Sequence, residues 1–279
     1  MQADFKRFQA ELAVVAYCPP ETEYESGGRF YPSKVTAVQY DRMKELGVNV
    51  VLGHDLSKPD ALDMTFRALG FCEKRDMVYL VKPREFREFV TLERGKKYSE
   101  RSEKSKKELK KRFLKGLEKF AEYQSFGGVN FIDEPGAASF EGIRAAKDAI
   151  SEKYPDKIFY VNMFQYFVTA KQYTASDFQD YPVNERYAAP TKEENYLRFM
   201  TDYLKEVEPQ LYSYDLYPMY ALHGVITNVH TGFYEMQSLV MRELQDKNVP
   251  LWTFIQSGGR WEGVPDVRVP NFGECALMV

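Results

Sequence analysis

Residues 127–136 read GGVNFIDEPG, a short apolar run that stops at the carboxylate pair Asp133-Glu134 and turns at Pro135. Runs of this length, rich in β-branched and aromatic residues, are the mark of a buried strand. Pro135 fixes the turn out of the strand, and the following stretch, 138–153, has the apolar spacing of a helix. Six other runs share the strand-like character: 12–17 (LAVVAY), 48–53 (VNVVLG), 77–82 (MVYLVK), 158–164 (IFYVNMF), 211–216 (LYSYDL) and 250–256 (PLWTFIQ). Between them lie helix-like stretches at 35–46, 59–74, 105–123, 138–153, 192–207 and 233–247, the first closed by Gly47 as a helix C-cap. Strand and helix in repeated alternation predict a parallel sheet with crossover helices.

The expected fold is therefore α/β, a (β/α)8 TIM barrel that stops before its eighth strand. The residues after Gln256 read as a loop followed by a helix opening near Pro270-Asn271. Either a C-terminal part is missing, or an unrecognised strand lies elsewhere, for example at 167–169. No repeat, low-complexity tract or Pro/Gly/Ser-rich linker divides the chain, so residues 1–279 are expected to form one domain.

Composition narrows the function classes. Basic and acidic residues nearly balance, 38 against 41 for a net charge of −3, which lacks the field that nucleic acid or an anionic membrane attracts. The basic stretch at 96–119 places Leu109, Phe113, Leu117 and Phe120 at helical spacing, so its lysines and arginines read as a solvated face. Cys18, Cys72 and Cys275 are odd in number and far apart, and the histidines 54, 223 and 230 form no HxH pair, so neither a disulfide framework nor a metal centre is indicated. No cofactor is expected. The start of the chain, MQADFKRFQAEL, has no apolar signal core. Aromatic residues make up 15% of the chain, with 20 Tyr and 20 Phe. Their rings suit the apolar faces of sugars as well as they suit a large core.

The strand ends carry the candidate chemistry, because an alternating β/α barrel works at the C-terminal mouth of its strands. Glu134 is the candidate proton donor. Asp133 is its neighbour, and regular strand geometry puts the two on opposite faces unless the strand twists or ends there. A bland alternative for Asp-Glu-Pro is a turn with acids at a helix N-terminus. Asn162 and Gln165 follow the fifth run, Tyr212, Tyr214, Asp215 and Tyr217 belong to the sixth, Trp252 and Gln256 to the seventh, and His54 and Asp55 to the second. Each has a bland reading as barrel filling, but their joint convergence describes a pocket. Glycosidic cleavage needs one carboxylic acid to protonate the leaving oxygen and a second group on the other face of the sugar.

GGVNFIDEPG, FYVNMF, LYSYDLYP and WTFIQSGG, in that order, resemble the middle and late strands of glycoside hydrolase TIM barrels of the clan A type, particularly bacterial glycosidase-like proteins with a strand-four Asp-Glu-Pro motif. The resemblance covers roughly residues 12–256. It implies a glycosidase with an oligosaccharide or polysaccharide substrate, no nucleic-acid or membrane partner, and an extracellular or periplasmic location. The clan's Asn-Glu-Pro acid/base then maps onto Glu134, with Asp133 in place of the Asn, while the nucleophile position of strand seven holds Gln256, which cannot attack a sugar. Three consequences are open: a substrate-assisted N-acetylhexosaminidase in which Asp133 orients the acetamide and Tyr214 bonds it; Asp215 as the partner carboxylate; or a non-catalytic carbohydrate-binding barrel. Glu262 is a further candidate for a conventional mechanism. His54, Asn162, Tyr214, Tyr217, Trp252 and Gln256 are the expected sugar-binding residues.

Overall fold

The structure, a computed structural model, describes residues 7–26, 28–90, 97–175, 181–222, 225–229 and 232–254. Seven parallel strands follow one another along the chain. We number them β1 (Val15–Ala16), β2 (Val50–Asp55), β3 (Val78–Lys82), β4 (Phe126–Asp133), β5 (Ile158–Asn162), β6 (Tyr212–Tyr214) and β7 (Leu251–Thr253). The longer helices between them are α1 (Ala37–Glu45), α2 (Ala61–Glu73), α3 (Glu103–Glu118), α4 (Phe140–Lys153), α5 (Lys192–Val207) and α6 (Gly232–Leu244). All of these fall on runs that the sequence marked.

Strands β1 to β5 form one sheet in chain order, every pair parallel. The result is an α/β fold built on a curled parallel half-barrel of five strands. β6 and β7 pair in parallel with each other, and the Met163 N–H donates to the Ser213 carbonyl at 2.8 Å, which joins the end of β5 to β6. Tyr17, just past β1, meets Phe254, just past β7, edge to face at 4.8 Å. No eighth parallel strand lies among the described residues. Residues 167–169 form a turn rather than a strand, and the loop and helix expected after Gln256 lie outside the described residues.

Period-two alternation sorts the side chains into two layers. Val50 and Leu52, Val78 and Leu80, and Ile158 and Tyr160 share the concave side with Leu211, Trp252 and Phe8. Phe8 belongs to a short helix, Arg7–Ala10, and its ring meets Trp252 at 6.3 Å. The intervening residues Val51, Tyr79, Val81, Val129, Phe131, Phe159 and Val161 pack outward against the helices. Each such burial contributes about 1.5–3 kcal/mol. On α3, Leu109, Phe113 and Leu117 are buried, while Lys110 and Arg112 reach Glu152 and Glu88 at 2.6 Å on the wet side. Exposed pairs of this kind contribute about 1 kcal/mol or less, so the basic stretch is a solvated face. Among the described residues no helix is long and apolar enough to cross a membrane.

Gly128 sets how closely β4 approaches its neighbour. Its φ is +127°, and a Cβ there would sit 2.0 Å from the Ile158 carbonyl oxygen. We expect Gly128→Ala to cost about 3 kcal/mol or more, since it combines a forbidden backbone angle with a clash against an immovable strand. Chemical denaturation checks this; a midpoint within error of the parent would contradict the placement.

Candidate active site

β4 ends where its carboxylates diverge, and the backbone explains how both stay in the mouth. The Glu134 N–H donates to the Asn162 carbonyl at 2.8 Å, one last bond between β4 and the end of β5. Glu134 then takes φ +46°, a left-handed conformation that costs a non-glycine residue about 1–2 kcal/mol. That turn removes the obstacle posed by regular alternation.

Two amides from the chain after β5 gather three carboxylates. The Asn162 Nδ2 donates to Asp133 Oδ1 and to Asp215 Oδ1, both at 2.9 Å. The Gln165 Nε2 donates to Glu134 Oε1 at 2.7 Å and to the same Asp215 oxygen at 2.9 Å. Each amide spends both of its N–H bonds on carboxylates from two different strand ends. Acceptors that share one nitrogen can be no farther apart than the two bonds laid end to end, about 5.8 Å for Asp133 Oδ1 to Asp215 Oδ1 and about 5.6 Å for Glu134 Oε1 to Asp215 Oδ1. Asp215 sits one step past β6 and is buried, as is Asn162, whereas Asp133 is exposed and Glu134 partly so.

Burial pushes the Asp215 carboxyl above its ordinary range; the Asn162 bond opposes this, and the Asp133 charge adds to it. Tyr217 lies beside Asp215, and Tyr17 beside Asp133. Burial raises both phenols, and the neighbouring carboxylate adds to the shift, so each stays a neutral donor at physiological pH. Behind them the Tyr160 hydroxyl lies 3.0 Å from Ser213 Oγ.

A cleft of about 660 Å3 opens beside this cluster. Asn130, Asp133 and Asn162 form one wall; Gly53, His54, Asp55 and Lys82 form another; and the chain after β1, including Tyr17, Cys18, Glu21, Thr22 and Tyr24, forms a third. Burial alone would raise the Asp55 carboxyl, but hydrogen bonds from Ser57 and the charges of Lys82 and Arg87 outweigh it and hold it low. Among the described residues no cluster of three His, Cys, Asp or Glu side chains is arranged to hold a metal ion.

Asp133, Glu134, Asn162, Asp215 and Tyr217 thus come together as the sequence suggested, with Gln165 as the link. Three other expected binding residues do not join them. Tyr214 is fully buried in the helix-side core with Tyr212, because Ser213 and Asp215 take the inward positions of β6 and leave the alternate ones facing the helices. Trp252 is half-buried on the concave side, its ring held between Phe8 and Tyr160. His54 borders the cleft, but both ring nitrogens are taken: Nε2 lies 2.8 Å from the Pro20 carbonyl and Nδ1 2.7 Å from the Tyr79 hydroxyl. Pro20 can only accept, so Nε2 carries the proton; burial lowers the His54 pKa and keeps the ring neutral. His54 anchors the wall after β1 and has no nitrogen left for a sugar hydroxyl. Gln256, Glu262, His223, His230 and Cys275 lie outside the described residues. Sequence reasoning did not single out Tyr17, Asn130 or Lys82. A polar residue inside an otherwise apolar run, as at Asn130, and the last residue of runs one and three were the available signals.

No protein-family model matches the sequence, and no curated protein matches it. Among solved structures, the chain is similar to a "putative alpha-L-fucosidase" from Bacteroides thetaiotaomicron VPI-5482. The TM-score is 0.54 at 12% identity, covering 87% of this chain and 75% of that one. At this identity the likeness is one of fold.

Asp215 also makes a stability prediction. Its folded pKa lies above its unfolded one, so its contribution is fully present below the ordinary Asp value of about 3.9 and is lost as pH rises through the folded pKa. Asp215→Asn keeps an oxygen to accept both amides and removes the buried charge. We expect its Tm to exceed the parent's at pH 7 and to converge with it near pH 3.5, as thermal unfolding at the two pH values will read. A variant less stable at pH 7 than at pH 3.5, relative to parent, would contradict the raised pKa.

Proposed function

We propose that this protein is a single-domain glycoside hydrolase acting on a carbohydrate at the strand-end mouth, with Glu134 as general acid/base and Asp215 as the opposing carboxylate. The observation that carries this reading is the Gln165 amide held between Glu134 and Asp215. It keeps Glu134 Oε1 and Asp215 Oδ1 within about 5.6 Å of each other, nearer to the spacing of about 5–5.5 Å at which one carboxylate attacks the anomeric carbon while the other protonates the leaving oxygen than to the roughly 6.5–9.5 Å of inverting pairs, which admit a water.

In this mechanism Glu134 gives its proton to the glycosidic oxygen as the bond to the anomeric carbon breaks. Asp215 attacks that carbon and forms a glycosyl ester. Glu134, now ionised, takes a proton from water, which attacks the ester and releases Asp215. Asn162 and Gln165 both donate to Asp215 Oδ1 and so orient the carboxylate; Oδ2 is the nucleophilic oxygen in this reading. Tyr17 and Asp133 offer polar contacts to ring hydroxyls. Closure of the curled sheet into a barrel belongs to the same reading, and the Tyr17–Phe254 contact, which brings the ends of β1 and β7 together, supports closure.

A second reading has one observation in its favour. Asp133, rather than Asp215, is exposed to the cleft, as a substrate-assisted N-acetylhexosaminidase requires of the residue that orients an acetamide. Tyr17, beside Asp133, would there take the role that the sequence assigned to Tyr214.

The fold likeness puts aryl α-L-fucosides first in a substrate screen, followed by aryl N-acetylhexosaminides and other aryl glycosides. We expect hydrolysis of at least one of them, and Glu134→Gln should lower kcat about 10²–10⁴-fold with Tm unchanged. Full activity in that variant would overturn the assignment of Glu134. Binding of sugars with no cleavage of any activated glycoside would instead favour a non-catalytic carbohydrate-binding barrel, and cleavage confined to N-acetylhexosaminides would favour the substrate-assisted route.

A further inference from the structure

The wall after β1 carries a feature that the catalytic reading leaves unused. Tyr24–Ser26 and Arg29–Tyr31 form a small antiparallel hairpin in which Tyr24 lies opposite Tyr31. Their rings stack at 4.7 Å with an interplanar angle of 6°, and the Arg29 guanidinium lies over Tyr31 at 5.3 Å. Tyr31 thus has two neighbours, and among the described residues Tyr24 is the end plane of the stack. Tyr24 is 42% exposed and lines the cleft. Phe30, on the same hairpin, is 57% exposed.

A flat phenol held by stacking on a second phenol loses little freedom when a ligand settles on it. Pyranose rings present apolar C–H faces of matching size, and the phenol keeps a polar edge for a hydroxyl. The cleft also exceeds what one sugar needs: at about 660 Å3 it falls among pockets that bury drug-sized ligands, while a hexose has only about a dozen heavy atoms. We propose that Tyr24, braced by Tyr31, is the platform for a second sugar ring, so that the natural substrate is an oligosaccharide or polysaccharide rather than a simple monosaccharide conjugate. The proposal rests on the glycosidase reading for its account of the first ring, at Asp133, Glu134 and Asp215.

The test compares the parent with Tyr24→Ala and Tyr24→Phe. The substrates are the best aryl monoglycoside and a series of glycans: 2′-fucosyllactose and chito- and xylo-oligosaccharides of two to four units. We expect Tyr24→Ala to lose about tenfold in kcat/KM on the glycan that is cleaved, through KM, with a smaller loss on the aryl monoglycoside, and Tyr24→Phe to retain most of the activity. An unchanged ratio between glycan and aryl substrate in Tyr24→Ala would overturn the platform while leaving the glycosidase reading intact. If the parent cleaves nothing, calorimetric binding of the same glycans decides: binding weakened about tenfold in Tyr24→Ala sustains the platform while the hydrolase reading fails, and binding that is absent or indifferent to Tyr24 overturns the platform as well.

Discussion

The central constraint is the crowding of Asp133, Glu134 and Asp215 at the end of a parallel sheet. Carboxylates gathered this closely compete for the same few donors, and one of the three is buried. The amides of Asn162 and Gln165 relieve the conflict by turning four N–H bonds toward the three groups, two of them on a single Asp215 oxygen. The strained turn at Glu134 and the shared position of Asn162 between β4 and β6 both serve this arrangement. Removing either amide would leave a buried carboxylate short of donors, a more serious loss than that of an ordinary surface hydrogen bond.

Strand alternation decides which other residues take part. On β6 it sends Ser213 and Asp215 inward and Tyr212 and Tyr214 into the helix layer. On β7 it points Trp252 to the concave side, where its ring meets Tyr160 and Phe8 and not the carboxylates. The same logic leaves His54 at the rim with its nitrogens committed to Pro20 and Tyr79, so that it fixes a wall of the cleft. The wall so fixed is the one that carries Tyr17 to the carboxylates and leads on to Tyr24.

Much of this was legible in the residues. Apolar runs bounded by polar tips located all seven strands, and amphipathic spacing located the six main helices, because burial on two faces and on one face leave different periods. The Asp-Glu pair and Asp215 were legible because carboxylates at strand ends are costly unless used or paired. Direction was the weak point. Whether Tyr214 faces the mouth or the helices depends on where β6 enters its ladder, a one-residue question that period alone does not answer. The Tyr24–Tyr31 hairpin was missed because three-residue strands flanking a glycine turn lie below the length at which alternation becomes visible. The bonds by which Asn162 and Gln165 link the carboxylates reach partners about 30 and 50 residues away in sequence, which spacing along a chain does not reveal.

Azide rescue tests the paired roles of Glu134 and Asp215 most directly, because azide replaces whichever carboxylate is removed and its product records the face attacked. On the aryl glycoside turned over fastest, Asp215→Ala with azide should yield a glycosyl azide of inverted configuration, and Glu134→Ala with azide one of retained configuration. Rescue of neither variant, or the two configurations exchanged, would contradict the account.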